Sequence, residues 1–367
     1  MDNTEYAAPI YQTPKGETAA PLFEKAPLSE PVIQYAKTND GVNIAYYSIG
    51  SGTPPLVYIL PFSHVVQERQ HPELRAWCEG LAGNRRVVRL DRRGTGLSDR
   101  DREFTLDSAV HDIDAVARKE GLKRFALMGQ GYTSAIAILY ASQHPEKVSH
   151  LVLWSPVAGA QEYIEASPPL QAAYAAATKD WRTFTELFAQ QATGWADADQ
   201  ARRFAAYLRE VGYTSEEHLR TITQTYDVTA NLGQLTMPVL VMHRREAAFP
   251  PVELVRRLAA DTTSARFVLF EGSAILPIFG DSHAVLRAID QFLSERNDPR
   301  PDGLTERELE ILTLIAGGAS NEEIARGLSI STRTVERHIG NTYLKIGAHN
   351  RAEATAYAFR QGIAPVP

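Results

Sequence analysis

A glycine-rich turn near residue 130 has the residue types and spacing of a reactive site. In LMGQGYTSAI (127–136) an apolar run ends at Gly129–Gln130–Gly131 and continues directly into a helical pattern. A sharp turn between a strand and a helix can display a nucleophile, and glycines there can instead let backbone N–H groups bind a phosphate. A tight turn without chemistry is the third interpretation, because glycine has no side-chain atom that could attack a substrate.

The elements around this turn predict an α/β fold with a doubly wound, mostly parallel sheet. Short apolar runs such as PPLVYILP, RFALMGQG and ARFVLFEG alternate with stretches of helical spacing. Two strands around Asn39–Asp40–Gly41 precede them. Between about residues 157 and 235 the pattern is helical and rich in aromatic residues, which predicts a helical lid inserted between two strands.

Composition favours a cytoplasmic protein of two domains. At 367 residues the chain is long for one domain, and its net charge of −6 argues against a protein that is basic overall. A single cysteine, Cys78, excludes an intrachain disulfide and suits a reducing compartment. There is no apolar run near the ~20 residues that a membrane span needs, and the N-terminus lacks the pattern of a signal peptide. We expect no membrane contact, no cofactor and no metal.

Breaks in the pattern divide the chain into four parts. Residues 1–31, with prolines and small polar residues, predict an extended or mobile arm. Residues 32–295 form the predicted α/β body. RNDPRPDG, residues 296–303, is a charged linker with prolines, and residues 304–362 form a compact helical domain.

Three stretches of the body together resemble the α/β-hydrolase fold. DRRGTGLSDR (91–100) resembles the Asp-x-Arg-Gly-x-Gly-x-Ser segment of that family, and the turn at 127–136 resembles its nucleophile elbow. The stretch from MPVLVMH to ILPIFGD resembles the part that carries the acid and the histidine. The resemblance implies a serine nucleophile, a histidine base and an orienting acid at these places.

The chain departs from this pattern at two of the three catalytic positions. By the resemblance, Gly131 holds the nucleophile position, Ile275 the histidine position and Glu246 the acid position. Neither glycine nor isoleucine can perform the required step, and loss of either group costs several orders of magnitude in rate. We therefore predict no catalytic residues. The alternative is an active hydrolase with displaced groups, for which Ser134, His283 and His243 are candidates.

Nucleotide binding is a weaker interpretation of the same turn. Gly129-x-Gly131-x-x-Ser134 follows a strand and opens a helix, as a dinucleotide fingerprint does. The next strand, VSHLVLWSP, ends without the acidic residue that would hold a ribose. The pattern also lies on a late strand, whereas the fingerprint occupies the first.

The resemblance implies that a binding pocket survives the loss of catalysis. The backbone N–H of Tyr132 and the loop LPFSHV (60–65) match oxyanion donors, which can bind a carbonyl or carboxylate without attacking it. Glycine and isoleucine would enlarge and dry the cavity, which favours a small, mostly apolar effector. The predicted ligand-binding residues are Phe62, Ser63, His64, Gln130, Gly131, Tyr132, Trp154, Trp181, Phe184 and Ile275. A structural role is equally open for His64, and a place in the core of the lid for the two lid aromatics.

The helical domain has the arrangement of a helix-turn-helix. A short helix EEIARGL, a tight turn and the longer helix RTVERHIGNTYLKI follow a first apolar helix. We predict a capping box of Thr305 and Glu308, a cap at Asn321, and an end of the long helix at Gly347.

Residues 304–362 resemble the LuxR-type C-terminal DNA-binding domain. The resemblance rests on Glu308, the run Asn321–Ala325, Thr334, Val335, His338, Asn341, Lys345 and Arg351. It implies that the long helix faces DNA, and the predicted DNA-binding residues are Thr332, Arg333, Thr334, Val335, Arg337, His338, Asn341 and Lys345. The alternative for each charge is a solvated helix face.

Together these features predict a ligand-responsive bacterial transcription regulator. Its expected partners are double-stranded promoter DNA, a small-molecule effector and a second copy of the chain bound through the last helix, with RNA polymerase a further candidate. Two alternatives stay open: an active hydrolase joined to a DNA-binding domain, and a constitutive DNA-binding dimer whose body is a scaffold.

Overall fold

A computed structural model describes residues 30–100, 104–177, 179–211, 226–262, 265–295, 304, 306–328, 330–361 and 363. The chain divides into two compact units, Met1–Arg296 and Asn297–Pro367. Most of the predicted N-terminal arm and all of the predicted linker 296–303 lie outside the described residues. In the described part, no helix is both long and apolar enough to cross a membrane.

The first unit is built on one eight-stranded sheet with the order β1-β2-β4-β3-β5-β6-β7-β8. Its strands are β1 Gln34–Lys37, β2 Asn43–Ile49, β3 Leu56–Ile59, β4 Val87–Leu90, β5 Phe125–Gln130, β6 Val148–Trp154, β7 Val239–Arg244 and β8 Ala265–Phe270. Strand β2 is antiparallel to β1 and β4, and all the other neighbouring pairs are parallel. The predicted doubly wound, mostly parallel fold is confirmed.

Helices cover both faces of this sheet, which is why its central strands are continuous apolar runs. Every residue of β5 and β6 is buried. The covering helices are α1 Gln67–Gln70, α2 Pro72–Leu81, α3 Leu106–Lys119, α4 Thr133–Gln143, and, later in the chain, Val252–Ala260 (α9) and Ser282–Ser294 (α10).

A helical segment lies between β6 and β7, where the sequence predicts the lid. It contains α5 Ala160–Glu165, α6 Pro168–Ala177, α7 Trp181–Ala192, α8 Ala198–Glu210 and the 3-10 helix Thr229–Gln234. Helices α7 and α8 begin after Asp180 and Asp197, whose carboxylates accept hydrogen bonds from backbone N–H groups of the first turn. Phe184 and Phe204 lie on the buried faces of these two helices.

The second unit consists, in its described part, of α11 Glu306–Ala316, α12 Asn321–Gly327, α13 Thr332–Ile346 and α14 Arg351–Arg360. The cap of α12 is Ser320, which forms a capping box with Glu323, so the prediction of Asn321 was wrong by one residue. Serine suits this place because its side chain reaches the backbone N–H three residues on. Gly347, with φ +66°, ends α13 as predicted. The predicted partner of Glu308, Thr305, lies outside the described residues.

Candidate functional site

A cavity opens at the carboxyl ends of β5 and β6, the edge at which parallel sheets bind ligands. About 520 Å³ in the cavity and at its mouth holds no protein atom, and part of this space is open to solvent. Its walls are Pro61, Phe62, Gln130, Gly131, Tyr132, Trp154, Ser155, Tyr163, Leu170, Tyr174, Phe188, Phe249, Pro250, Ile275 and Leu276. Strands β5 and β6 contribute directly, because Gln130 pairs with Trp154 in the register of the sheet.

The two glycines of the turn have different roles. A Cβ at Gly129 would lie 2.7 Å from the carbonyl oxygen of Thr133, so this glycine permits close packing of α4. Gly131 has φ +53°, and a Cβ there would meet no atom within 4 Å. A side chain at residue 131 would therefore project into open space. The turn keeps the left-handed backbone of a nucleophile-displaying turn and lacks the nucleophile.

The loop in which the resemblance predicts the histidine position is hydrogen-bonded to the lid. Ile275 lines the cavity, and its backbone N–H donates to the carbonyl of Ala192 at the end of α7, at 3.1 Å. Its own carbonyl accepts a hydrogen bond from Trp154 Nε1 at 2.7 Å. Ser273 Oγ donates to the carbonyl of Gly194 at 3.0 Å. The backbone of this loop thus connects the lid to the sheet.

Arg244, at the end of β7, donates hydrogen bonds to the same loop. Its guanidinium donates to the carbonyls of Ala274, Leu276 and Phe279 at 3.0, 2.8 and 2.6 Å. It lies 5.1 Å from the ring centroid of Trp154 and is 1% exposed. Burial lowers the pKa of Arg244 to about 10, which still leaves it charged at neutral pH. Sequence reasoning missed this residue, because an arginine at a strand end carries no signal of its partners.

The displaced catalytic candidates do not meet in the cavity. Ser134 is fully buried and its Oγ has no hydrogen-bond partner, although it is absent from the cavity wall. His283 is exposed on α10, and Glu246, at the acid position, is exposed in its loop. His243 is fully buried, and its Nδ1 lies 2.9 Å from Ser155 Oγ. Of these candidates, only His243 reaches the wall, and it does so through a serine.

Ser155 and His243 form a buried pair that sequence reasoning missed. Ser155 lines the cavity and has φ +45°, a conformation that residues other than glycine rarely adopt. Burial, which disfavours the imidazolium, is the main reason that the pKa of His243 is lowered to about 4. The imidazole is therefore neutral near pH 7 and a weak proton acceptor. The strain at Ser155 marks this position as one that the surrounding fold enforces.

The structure brings together six of the ten predicted ligand-binding residues. Phe62, Gln130, Gly131, Tyr132, Trp154 and Ile275 line the cavity. The nine other lining residues are outside the predicted ten: Pro61, Ser155, Tyr163, Leu170, Tyr174, Phe188, Phe249, Pro250 and Leu276.

The other four predicted residues lie away from the cavity wall, and each contacts another part of the protein. Ser63 is fully buried and donates to Asp91 Oδ1 at 2.7 Å. His64 Nδ1 accepts hydrogen bonds from the backbone N–H groups of Val66 and Gln67, where α1 begins, at 3.4 Å each. Trp181 and Phe184 stack on each other at 4.8 Å inside the lid. For His64, Trp181 and Phe184, the structural alternative fits the geometry. Among the described residues, no group of three or more histidine, cysteine or acidic side chains is placed to hold a metal.

The second candidate site is the outer face of α13. The exposed residues at helical spacing along it are Thr332, Arg333, Glu336, Arg337, Gly340, Asn341 and Leu344. Leu344 is unusual for such a face, since 84% of it is exposed. The two arginines and the asparagine can bind phosphates or base edges in a major groove.

Some of the residues predicted to face DNA have other partners. Val335 is fully buried and packs with Ile311, Ile315 and Ile324, so its assignment to the DNA face is corrected. Lys345 Nζ lies 2.7 Å from the carboxylate of Glu308.

Two more of these residues are half-buried. Thr334 Oγ1 shares a hydrogen bond with Ser331 Oγ at 2.8 Å, and His338 is also half-buried. The exposed predicted residues are Thr332, Arg333, Arg337, Asn341 and, beside its acidic partner, Lys345.

Two family models match the chain in separate places. The model described as alpha/beta hydrolase fold matches residues 64–280. The model described as bacterial regulatory proteins, luxR family, matches residues 302–358. The first covers more than half of the chain, and the second covers the helical unit.

Solved structures resemble the first unit in fold. An esterase from Rhodococcus sp. ECU1013 has a TM-score of 0.63 and 21% identity, over 72% of this chain and 98% of its own. A meta-cleavage product hydrolase from Pseudomonas fluorescens IP01 has a TM-score of 0.59 and 19% identity, over 71% and 97%. At these identities the likeness shows the fold alone.

Curated relatives resemble the second unit. The response regulator protein VraR of Staphylococcus aureus strain NCTC 8325 is 47% identical over 60 residues, 16% of this chain and 29% of the relative. The same protein of Staphylococcus epidermidis gives the same values. The chain thus spans less than a third of the length of the curated relatives that it matches.

Proposed function

This chain belongs to the alpha/beta hydrolase fold family and carries a LuxR-type DNA-binding domain, and we propose that it is a transcription regulator whose hydrolase body binds a small effector without converting it. The observation that carries the proposal is a cavity at the expected place of an active site, in which the predicted nucleophile and histidine positions hold residues that cannot perform catalysis. Gly131 opens onto it and Ile275 lines it. Neither side chain can attack a carbonyl or accept a proton.

The composition of the wall supports a mostly apolar effector. Aromatic rings and aliphatic side chains form most of it, as they do in pockets that hold small molecules. The effector can regulate DNA binding only through a difference in its affinity for two states of the protein. The hydrogen bonds that join Ile275 and Ser273 to the end of α7 make the lid an element whose position the cavity contents can bias.

The DNA-binding part of the proposal rests on α13. Arg333 and Arg337 are exposed one turn apart on the second helix of a helix-turn-helix. Such domains bind paired half-sites as dimers, and α14 offers the small exposed residues Ala352 and Ala356 for a close contact between two copies. Two further alanines of α14, Ala354 and Ala358, are buried in the unit's own core and are not available for this contact. RNA polymerase stays a candidate partner.

A second candidate function is hydrolysis by Ser155 and His243. The 2.9 Å contact between them and the strained backbone at Ser155 favour it. Two features oppose it: the low pKa of His243 makes a weak base, and Pro156, which follows the serine, has no N–H to stabilise an oxyanion. The test is an ester-substrate assay, in which turnover that disappears in Ser155→Ala would establish this function.

The DNA half of the proposal is tested by selecting genomic fragments with the purified protein and measuring affinity by gel shift. Replacing both Arg333 and Arg337 by alanine should weaken binding roughly 100-fold, because each contact to a base or phosphate contributes about 1–3 kcal/mol. The control is Arg256→Ala, which removes an exposed arginine from α9 of the first unit. Equal binding by the double variant and the control would contradict the assignment of α13.

The sensor half is tested with Gly131→Trp, whose side chain should fill the cavity. Gly131→Ala is the matched control, since it has the same unfavourable backbone conformation at φ +53° without filling the space. Small molecules that co-purify with the wild type are identified by mass spectrometry and added to the gel shift. We expect a response from the wild type and the alanine variant, and none from the tryptophan variant. A retained response in Gly131→Trp would move the effector site elsewhere.

A further inference from the structure

The wall of the cavity carries enough fixed polarity to define the class of effector. Building on the proposed sensor function, we propose that the effector is an uncharged aromatic molecule whose head group has one hydrogen-bond acceptor and one donor, as a carboxamide has. The acceptor binds the side-chain amide of Gln130, and the donor binds Ser155 Oγ.

The first argument concerns charge. None of the 15 lining residues is acidic, basic or a histidine. Two buried guanidinium groups lie nearby, and both donate hydrogen bonds to protein oxygen atoms. Arg244 donates to loop carbonyls, and Arg92 donates to Tyr132 Oη at 2.7 Å and to the carbonyl of Pro61 at 3.0 Å. A carboxylate in this cavity would lose hydration and gain no counter-ion. The backbone N–H of Tyr132 at the start of α4 can serve a neutral carbonyl equally well, so the charge itself is unfavourable.

The second argument concerns the donor in the wall. Gln130 is 3% exposed, and its Oε1 accepts a hydrogen bond from the hydroxyl of Tyr58 at 2.5 Å. Tyr58 is fully buried in the core and fixes the orientation of the amide. A glutamine amide has one carbonyl and one NH₂ group, so the NH₂ group can donate a hydrogen bond to a ligand in the cavity. Gln130 therefore selects a ligand acceptor.

The third argument concerns the acceptor in the wall. A neutral histidine has one nitrogen that accepts and one that donates. His243 Nδ1 lies 2.9 Å from Ser155 Oγ, and the backbone carbonyl of Pro250 favours a proton on the other ring nitrogen. We therefore assign Nδ1 as the acceptor of the serine hydroxyl, which leaves the lone pairs of Oγ for the cavity. The low pKa of His243 keeps the imidazole neutral, so this polarity persists across the physiological range. Ser155 therefore selects a ligand donor.

The sheet places these two groups side by side. Gln130 is the register partner of Trp154, the residue before Ser155, and neighbouring strands lie about 4.8 Å apart. The rest of the wall is suited to a flat ring. Its aromatic residues are Phe62, Tyr132, Trp154, Tyr163, Tyr174, Phe188 and Phe249. The arrangement matches a planar apolar body with a neutral donor–acceptor head.

The test uses three probes with one aromatic body: 2-naphthamide, methyl 2-naphthoate and 2-naphthoate. Calorimetric titration of the full chain should give the tightest binding for the amide. We expect the ester to bind roughly tenfold more weakly, because one hydrogen bond is lost. The carboxylate should bind at least about 100-fold more weakly because of its charge. A preference for the carboxylate, or no binding of the amide up to its solubility limit, would overturn the proposal.

Variants separate the two polar contacts. Ser155→Ala should weaken the amide roughly tenfold and leave the ester unchanged, which abolishes the preference between them. Replacing Gln130 by leucine together with Tyr58→Phe, so that no buried hydroxyl is left unpaired, should weaken both probes and keep the preference. The control is Gln161→Leu, an exposed glutamine on α5. A preference that survives in Ser155→Ala would overturn the proposal, as would ester hydrolysis that this variant abolishes.

Tryptophan fluorescence melts of each variant show whether it is folded, and a gel shift with each probe distinguishes this proposal from the one on which it rests. Tight amide binding that leaves DNA affinity unchanged would contradict the sensor function and support the effector class. If the carboxylate binds best and changes DNA affinity, the result would support the sensor function and contradict the proposed effector class.

Discussion

The cavity of the α/β unit and the outer face of α13 hold their polar groups in opposite environments. Around the cavity, polar side chains are buried and already paired with the protein: Arg244 with carbonyls, Ser155 with His243. On α13, Arg333 and Arg337 face water. A buried polar group that loses its partner costs free energy of unfolding, whereas an exposed charge contributes little to stability and is available for binding. Substitutions should therefore change stability at the first site and affinity at the second.

The largest effect is expected from Arg244→Met. The change leaves the carbonyls of Ala274, Leu276 and Phe279 without their donor and should lower the free energy of unfolding by about 4 kcal/mol. The measurement is urea unfolding followed by tryptophan fluorescence, since all 4 tryptophans lie in the first unit.

The neighbouring Arg245→Met is the matched control for this change. Its side chain is 51% exposed and pairs with Glu271 at 3.2 Å, so its loss should change stability by less than about 1 kcal/mol. Equal effects of the two substitutions would remove the contrast between buried and exposed polar groups.

A somewhat smaller effect is expected from the pH dependence that His243 contributes. The pKa of the folded state, about 4, lies below the ordinary 6.5, so the unfolded chain binds the proton more readily. Stability should therefore fall as pH drops from about 6.5 to about 4, by roughly 3 kcal/mol from this group.

Two substitutions isolate that contribution. His243→Asn keeps an acceptor for the Ser155 hydroxyl and should remove this part of the pH dependence of urea unfolding. Ser155→Ala keeps the imidazole and should retain it. If the wild type and His243→Asn lose stability in parallel over this range, the buried imidazole is not the cause.

The smallest effect is expected within α13 itself, where two nearby residues should behave oppositely. Val335→Ala should destabilise the helical unit by about 2 kcal/mol, because a buried side chain loses its contacts with Ile311 and Ile324. Hydrogen exchange of α11 to α13 should report this loss. Arg337→Ala should leave exchange unchanged and weaken DNA binding. A DNA defect in Val335→Ala with unchanged exchange would return Val335 to the DNA face.

Much of the fold was predictable because the spacing of apolar residues along the chain indicates strands and helices. Continuous apolar runs between helical stretches located the parallel strands, and Gly347 marked the end of α13 through its left-handed backbone. The cap of α12 shifted by one residue because serine and asparagine are both good caps. The prediction that Val335 faces DNA was wrong. The polar pattern of the helix does not indicate which of its apolar residues the neighbouring helices cover.

The candidate site was predictable only where one residue type decides the chemistry. Glycine at 131 and isoleucine at 275 exclude a nucleophile and a base whatever surrounds them. The lid aromatics Trp181 and Phe184 were misplaced because stacking within the lid and lining of the cavity require the same residue types. Nothing local distinguishes these two outcomes.

The sequence by itself therefore determined the family and the helix-turn-helix, and it predicted the loss of catalysis from the side-chain chemistry of residues 131 and 275. The tertiary structure alone decided which polar groups meet at the cavity. Ser155 and His243 are 88 positions apart, and Trp154 donates to the carbonyl of Ile275 across 121. Burial and hydrogen-bond partners arise from such long-range contacts. Those contacts give the side chains of Ser155, His243 and Gln130 fixed donor and acceptor roles at the cavity.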